Sequence, residues 1–423
     1  MKRFAGRSLA LAAIILTTWC SHAVQRFPRP DFESAHEPPA LSVPAPRAQW
    51  WEVVDVGVLA AAVALASYLA LKRRSARGLF WLAAFAVLYF GFWRQGCVCA
   101  VGSVQNVSLA FADPGYAIPW TVIAFFALPL LFTLFFGRTF CAAVCPLGAL
   151  QELVIWRPRH LPLWLNHALA VIPPLYLGAA IYFAALGGGF IICRFDPFIG
   201  FFRLGAAFPM LVFGGVVLLT GMFIARPYCR FLCPYGVLLG WMSACSRHHV
   251  SITPGECIGC ELCENACPVD AIRKPSADEP GEDRSRGVRR IAILLAVIPL
   301  AMAVGGVAGY AAGTPASYAH KRVALAQRVR LEDSGRAAGT TLDSEAFRAS
   351  GETKKDLFAD AAAIQGTFRK GGIFLGAFAG LIVAGRLLGL ARWRARRNYE
   401  PDRVRCVSCG RCFAYCPVPR EES

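Results

Sequence analysis

The chain has 423 residues, 56% of them hydrophobic, and a formal net charge of +17. Uncharged apolar runs long enough to cross a bilayer exclude an ordinary soluble domain. The excess Lys and Arg lies beside those runs, where it fixes orientation, not in the aromatic-interleaved patches of a nucleic-acid binder. The 17 cysteines do not suit a secreted disulfide scaffold either, which would be short and poor in long apolar runs.

In chain order, residues 1–23 read as a signal peptide or an uncleaved anchor: Lys2, Arg3 and Arg7, the apolar stretch Leu9–Trp19, then Ser21-His22-Ala23. Residues 24–50 form a Pro-rich linker expected outside the cytoplasm. Seven spans are predicted, at 53–71, 79–93, 117–136, 165–186, 207–225, 290–312 and 371–391. The clusters Lys72-Arg73-Arg74 and Arg392, Arg394, Arg396, Arg397 then fall inside, as the positive-inside rule asks. Loop 313–370 would lie outside although it holds more Lys and Arg than Asp and Glu, but a loop that long weighs little in the rule.

The membrane core, 51–245, contains a duplication. Arg138, Cys141, Cys145, Pro146, Gly148 and Leu150 match Arg226, Cys229, Cys233, Pro234, Gly236 and Leu238 at a fixed offset of 88 residues. Each copy is a C-x3-C-P. Its two thiols either share one helix face, or sit in a turn before a helix whose first residue is the proline. Four sulfurs meeting across the repeat suit an iron–sulfur centre, zinc or Cu(I); a redox-active dithiol and plain packing also fit. Cys97, Cys99 and Cys193 precede the spans that lead into the two copies and face the other side. A metal site there, of copper or a cluster, and a disulfide are both compatible with them.

Beyond the core comes Cys257, Cys260, Cys263, Cys267-Pro268, a C-x2-C-x2-C-x3-C-P run, and Cys406, Cys409, Cys412, Cys416-Pro417 repeats it. Two such runs are the signature of a pair of [4Fe–4S] clusters of the bacterial ferredoxin type, in which the fourth cysteine of each run ligates the other cluster. One cluster would take Cys257, Cys260, Cys263 and Cys416, the other Cys406, Cys409, Cys412 and Cys267. Alternatively each run closes its own cluster. Cross-ligation needs both runs on one side of the membrane, and two spans separate them. The plan is thus ferredoxin half one at 246–287, a span at 288–312, the loop 313–370, a span at 371–391 and ferredoxin half two at 392–423. Cys20 and Cys245 read as small apolar residues. His167 and the pair His248-His249 read as histidines at helix ends.

These residues resemble the membrane polyferredoxin family of NosR, NapH and CcoG, closest to the C-terminal membrane half of NosR. The two C-x3-C-P segments and the two ferredoxin runs carry the resemblance. It implies an α-helical polytopic membrane protein of about seven spans with a small α+β module holding two [4Fe–4S] clusters, placed in a bacterial inner membrane with the runs cytoplasmic. It implies an electron-transfer component of an oxidoreductase system, linking the cytoplasmic side or the quinone pool to an extracytoplasmic acceptor. The expected donor is a quinol, reduced ferredoxin or flavoprotein; the expected acceptor is a flavoprotein, cytochrome or reductase. A further metal centre would use the C-x3-C-P cysteines. No large flavin domain precedes the spans, so FMN is not expected on this chain; Thr341, in a faint flavin-attachment echo, reads as part of a linker. Two alternative roles remain, a copper- or iron-reducing assembly factor and a redox-sensing scaffold.

Overall fold

The computed structural model describes residues 48–96, 99–252, 257–276, 284–391 and 398–417. The expected signal or anchor with Cys20, most of the linker, and Cys97 lie outside the described residues. The chain divides into two units after Trp51, and the second, from Glu52 on, holds the helical core and both ferredoxin runs.

Helix α1 (Gln49–Leu71) turns back into α2 (Ala76–Ala86), which continues as a π-helical stretch, Val87–Trp93. Ser75 caps α2 by accepting the Gly78 N–H. At the far end the buried Asp55 carboxylate meets Arg94 at 2.7 Å and accepts from the Tyr89 hydroxyl at 2.9 Å. A carboxylate inside an apolar helix needs such partners.

There follow α3 (Ala100–Ala112), α4 (Trp120–Phe136), the short α5 (Thr139–Ala143), α6 (Pro146–Val154), α7 (Leu163–Leu169) and α8 (Ile172–Ala185). Next come α9 (Ile191–Phe195), α10 (Pro197–Phe202), α11 (Phe208–Phe223), short α12 (Pro227–Phe231) and α13 (Pro234–Ala244).

Among the described residues five helices are long and apolar enough to cross a membrane: Trp50–Leu71, Ala76–Trp93, Leu163–Ala185, Ser285–Ser317 and Lys354–Leu390. The predicted spans at 117–136 and 207–225 form apolar helices of only 17 and 16 residues, α4 and α11. At 1.5 Å per residue these are roughly 24–26 Å long, short of the ~30 Å hydrocarbon layer. Their ends are set by backbone, not by hydropathy: Pro119 starts α4, Gly137 at φ 70° stops it, and Arg226 at φ 51° follows α11.

Within the first run lies α14 (Leu262–Asn265), and past it come strand β1 (Ile272–Arg273), the long α15 (Arg284–Ser317), α16 (Lys321–Asp333), α17 (Leu342–Ala349), α18 (Lys354–Ala391), β2 (Glu400–Pro401) and α19 (Arg411–Ala414). Strands β1 and β2 pair antiparallel, Ile272 with Pro401 and Arg273 with Glu400. The two ferredoxin halves therefore close into one small α+β module, and α15 and α18 carry the chain away from it and back.

Helices α15 and α18, 34 and 38 residues, run beyond the apolar stretches 290–312 and 371–391. The expected outer loop is mostly helical. They meet along glycines. A Cβ on Gly309 would overlap the Gly372 carbonyl, one on Gly376 the Gly305 carbonyl, and one on Gly313 would stand 2.6 Å from the Arg369 Cα. Small residues at four-residue spacing let helix backbones touch. Gly376→Leu should part the hairpin that returns the second run to the first. Overpacking costs ~1–3 kcal/mol or more, and we expect a severalfold fall in protein carrying both ferredoxin clusters, read by iron content after size exclusion. Unchanged iron would show that the hairpin does not set the return.

The far end of the hairpin has its own core of Val323, Ala326, Val329, Phe347, Leu357 and Ala361. Thr341 caps α17 in a capping box with Ser344, so its hydroxyl is engaged in structure. Glu332, buried at its side chain, meets Arg328 and Arg348 at 2.7 Å each. Burial opposes its charge, but hydrogen bonds from Arg328, Ser344 and Arg348 hold its carboxyl below the usual glutamate value. A lowered carboxyl stabilises the fold above its unfolded value of about 4.3, and that contribution is lost as the pH falls through the lower folded value. Hydrogen exchange across 321–350 should therefore quicken in acid below about pH 4, and Glu332→Gln should flatten that dependence.

Candidate iron–sulfur and thiolate sites

Cysteines of both ferredoxin runs meet at one cavity. Cys406, Cys409 and Cys412 line one cavity with Cys267 from the first run, walled by Val250, Val269, Ile272 and Val407. The Cys267 sulfur accepts the Ala271 N–H at 3.3 Å, just before β1. Burial pushes the Cys406 thiol up to about 12 and the Cys409 thiol up to about 11. Ligation by iron, which needs thiolates, would supply the charge balance that this pocket lacks. In the first run Cys257 and Cys260 are exposed and Cys263 is buried, all three within electrostatic reach of one another. Cys416 is half-buried.

Among the described residues no three His, Cys, Asp or Glu side chains converge on a point where one ion could bind. A single tetrahedral zinc, with Zn–S near ~2.3 Å, needs sulfurs much closer together. A four-iron cubane bridges more widely spaced thiolates, so the residues fit a cluster better than a lone ion.

The second run rests on the C-x3-C-P repeats. Arg138 Nη1 donates to the Val404 carbonyl at 2.9 Å, and Ser243 Oγ donates to the Arg403 carbonyl at 2.7 Å. Arg411 of α19 forms an ion pair with Glu152 of α6. Asp402 accepts from the Val404 N–H at 2.9 Å and pairs with Arg273, tying the turn after β2 to β1.

In both repeats the second cysteine sits at the N-cap and the proline at the first helical position: Cys145-Pro146 on α6, Cys233-Pro234 on α13. The first cysteine lies on the short helix before, Cys141 on α5 and Cys229 on α12. The turn reading holds, and the single-helix reading of the spacing does not. Proline at N1 ends one helix and starts the next. All four sulfurs lie within electrostatic reach of one another.

Arg226 crosses between the repeats, whereas Arg138 bonds within its own copy and lies against Gly236 of the other. Arg226, fully buried, sends Nη2 to the Ala142 carbonyl at 3.0 Å, Nη1 to the Cys141 carbonyl and Nε to Glu152 at 2.9 Å. Arg138 reaches the Cys141 sulfur at 3.7 Å. The matching glycines make room. A Cβ on Gly148 would stand 3.7 Å from Arg226 Nη1, and one on Gly236 would stand 3.2 Å from Arg138 Nη2. Gln151 completes the set, donating to the Cys229 sulfur at 3.3 Å and accepting the Tyr228 N–H at 3.0 Å. Sequence reasoning singled out neither Gln151 nor Glu152. The available signal was a pair of polar residues in an apolar helix directly after the motif.

Of the two cysteines expected in outer loops, Cys99 is half-buried and Cys193 is exposed. Cys99 caps α3, accepting the Gly102 N–H at 3.3 Å. Cys193 lies beside it: both sulfurs are within 4 Å of where a Gly102 Cβ would stand. Cys99 also shares a small cavity with Cys145, Phe140, Pro146 and Phe202. Asp196, buried at the start of α10, accepts from the Phe198 N–H at 2.8 Å and from the Tyr228 hydroxyl at 3.1 Å, which ties this loop to α12. Cys245 is exposed at the end of α13. His248 stacks near Phe136, and His167 meets Arg405 at 3.3 Å.

Clustered cysteines on an apolar helical scaffold, joined to a two-run ferredoxin module, define an iron–sulfur electron-transport protein with membrane helices. Comparison with known proteins agrees. A 4Fe–4S binding domain family matches residues 118–163 and 206–253, and a second 4Fe–4S binding domain family matches 250–273. The chain is 33% identical over 165 residues to the putative electron transport protein YccM of Escherichia coli, covering 35% of this chain and 44% of YccM. It is 31% identical over 194 residues to NirI of Paracoccus denitrificans, 40% of this chain and 26% of NirI. To the regulatory protein NosR of Pseudomonas aeruginosa it is 28% identical over 223 residues, 47% of this chain and 30% of NosR. It thus spans less than half the length of each of these relatives. No solved structure matches the chain. The chain carries 4Fe–4S binding domains and is similar to the NosR-type group, as its motifs implied.

Proposed function

We propose that the chain carries electrons across a bacterial inner membrane, from a cytoplasmic ferredoxin module through the C-x3-C-P thiolates to Cys99 and Cys193 and on to an extracytoplasmic acceptor. The observation that carries this reading is the position of α6. Its C-terminal half pairs, through Glu152, with Arg411 beside the second-run cavity, and its N-terminal Cys145 shares a cavity with Cys99. Seven residues separate the two, about 10 Å along a helix. The ~30 Å hydrocarbon layer is too thick for one efficient hop; stations at the ferredoxin clusters, the four C-x3-C-P cysteines and Cys99 divide it.

In this reading Cys257, Cys260, Cys263 and Cys416 hold one [4Fe–4S] cluster, and Cys406, Cys409, Cys412 and Cys267 hold the other. Cys141, Cys145, Cys229 and Cys233 hold a further iron–sulfur centre, its negative charge offset by Arg138 and Arg226. When bound, these groups supply one-electron chemistry, while the protein fixes their spacing and charge. The chain spans the membrane seven times, α4 and α11 being the short spans that lead into the two repeats. Support for the duplication is that one domain family matches twice, at starts separated by the same 88 residues. The donor is a quinol, reduced ferredoxin or flavoprotein, and the acceptor a flavoprotein, cytochrome or reductase.

The test is Cys141→Ser with Cys229→Ser, in vesicles with a reductant on one side and an acceptor on the other. Transmembrane electron transfer should stop while the ferredoxin clusters remain. An unchanged rate with those clusters intact would overturn the relay.

A further inference from the structure

Between the inner end of α18 and the core lies a cavity of about 450 Å3. Its walls are apolar, with Leu381 and Ile382 from α18, Pro173 and Pro174 from α8, and Trp241 from α13. Its polar lining is five guanidiniums, Asn166 and the thiols of Cys229 and Cys233. Arg138, Arg226, Arg230, Arg386 and Arg405 all reach it, and no carboxylate lines it.

The nearby acids are already committed. Glu152 pairs with Arg226 and Arg411, Asp270 with Arg230 and His160, and Asp402 with Arg273. What is left for Arg386 is the Ala170 carbonyl at 3.5 Å, and for Arg405 the His167 ring nitrogen at 3.3 Å. Neither is an anion, and Asp402, which acts on both from a distance, is hydrogen-bonded to Arg273. Arg138 spends its charge on a carbonyl and a thiol, and its Nε has no acceptor; nor does Nη1 of Arg230, though both side chains are buried. Arg138 and Arg226 already face the repeat thiols and Glu152, so the charge left to answer is that of Arg386 and Arg405 beside Arg230; like charges held together away from water repel, and a negative group in the cavity would relieve them.

We propose that this cavity binds the phosphate of an anionic phospholipid. The charge excess calls for an anion, and guanidinium is the side chain best shaped to bind phosphate oxygens in pairs. The apolar walls from α8, α13 and α18 call for acyl chains on the same molecule. Basic pockets between membrane helices on the cytoplasmic side are where such headgroups bind. The lipid would fill the space between α18 and the core, next to Val404, Arg405 and Val407 of the second run. The inference rests on the topology proposed above only for the side of the membrane. A neutral quinone would occupy the walls but leave the cations unanswered.

The experiment does not measure electron transfer, so it stands apart from the relay. Full-length protein is purified in detergent, and its retained lipids are extracted and weighed by mass spectrometry. It is also placed in nanodiscs of phosphatidylcholine alone or with phosphatidylglycerol, and its thermal unfolding is followed. Retained phosphatidylglycerol or cardiolipin, and a higher Tm with phosphatidylglycerol, are expected. Arg386→Gln and Arg405→Gln should each weaken binding about fivefold, the factor expected for one cation near an anionic surface. Lys354→Gln, a cation at the far end of α18, should change nothing. Retention of quinone without phospholipid would overturn the proposal. So would equal Tm in both discs, or a Tm rise with inorganic phosphate in phosphatidylcholine discs, which would mark a soluble anion site.

Discussion

Cys267→Ser should remove the cluster of the second run and leave the cluster of the first. The variant lies ten residues after Cys257 and 139 before Cys406, so distance along the chain would suggest the opposite. Yet the Cys267 sulfur lines the cavity of Cys406, Cys409 and Cys412. It is held there by the Ala271 N–H and by the adjoining β1–β2 pairing. Serine offers no thiolate, and a cluster that loses one of four cysteines is lost or strongly perturbed. Iron should fall by about four per chain, with one of two low-temperature EPR signals gone. The sharper version is a double mutant. Cys267→Ser and Cys409→Ser should each remove the same signal, and the pair should remove nothing more. If instead the pair removes both signals, each run closes its own cluster. The argument that both runs must share one side of the membrane would then lose its chemical basis. Because so small a module draws much of its folding energy from its clusters, losing the second cluster should also loosen the contacts at Arg411 and Val404.

The cysteines of the two runs were legible because iron dictates their spacing. The chemistry of paired runs also implied that a cysteine of one would stand among those of the other, and Cys267 lines the cavity of Cys406, Cys409 and Cys412. The matching motifs 88 residues apart were legible, but nothing in the sequence says that Arg226 reaches the other copy. Other features follow from rules that hydropathy does not carry. Helices α15 and α18 continue well past their apolar stretches, because alanine and charged residues keep a helix going in water. Helix α4 stops short where Gly137 takes φ 70°, and α11 where Ile224 turns extended. Cys99 was assigned to an outer loop from its neighbours in sequence. Its approach to Cys145 depends on a chain that turns back at Gly96, φ 67°, a tertiary fact with no local signature. Glu152 and Gln151 were overlooked because a polar pair in a helix is usually a solvated face; here both are buried.

Arg226→Met should be the most damaging single change outside the cysteines. The side chain is only 1% exposed, and methionine matches much of its length without the charge. Three acceptors lose their donor at once, the Cys141 and Ala142 carbonyls and Glu152. Removing one partner of a buried pair costs about 3–5 kcal/mol. The lower end applies here, since Arg411 still faces Glu152 from the half-exposed side. The backbone adds to the constraint. At φ 51°, ψ 54°, residue 226 sits where a side chain costs about 1–2 kcal/mol, which the guanidinium contacts offset in the native chain and a thioether would not. Lysine should be intermediate, keeping the charge but unable to hold two carbonyls and a carboxylate together. A double-mutant cycle separates charge from shape. Placed in a Glu152→Gln background, Arg226→Met should lose much less, because the stranded carboxylate is gone, and the coupling should exceed about 1 kcal/mol. Unfolding of the detergent-solubilised protein, followed by cluster absorbance and by helix content, measures both. Additive losses would mean that Arg226 acts on Cys141 and its helix alone, and that Glu152 serves only to seat the second ferredoxin run.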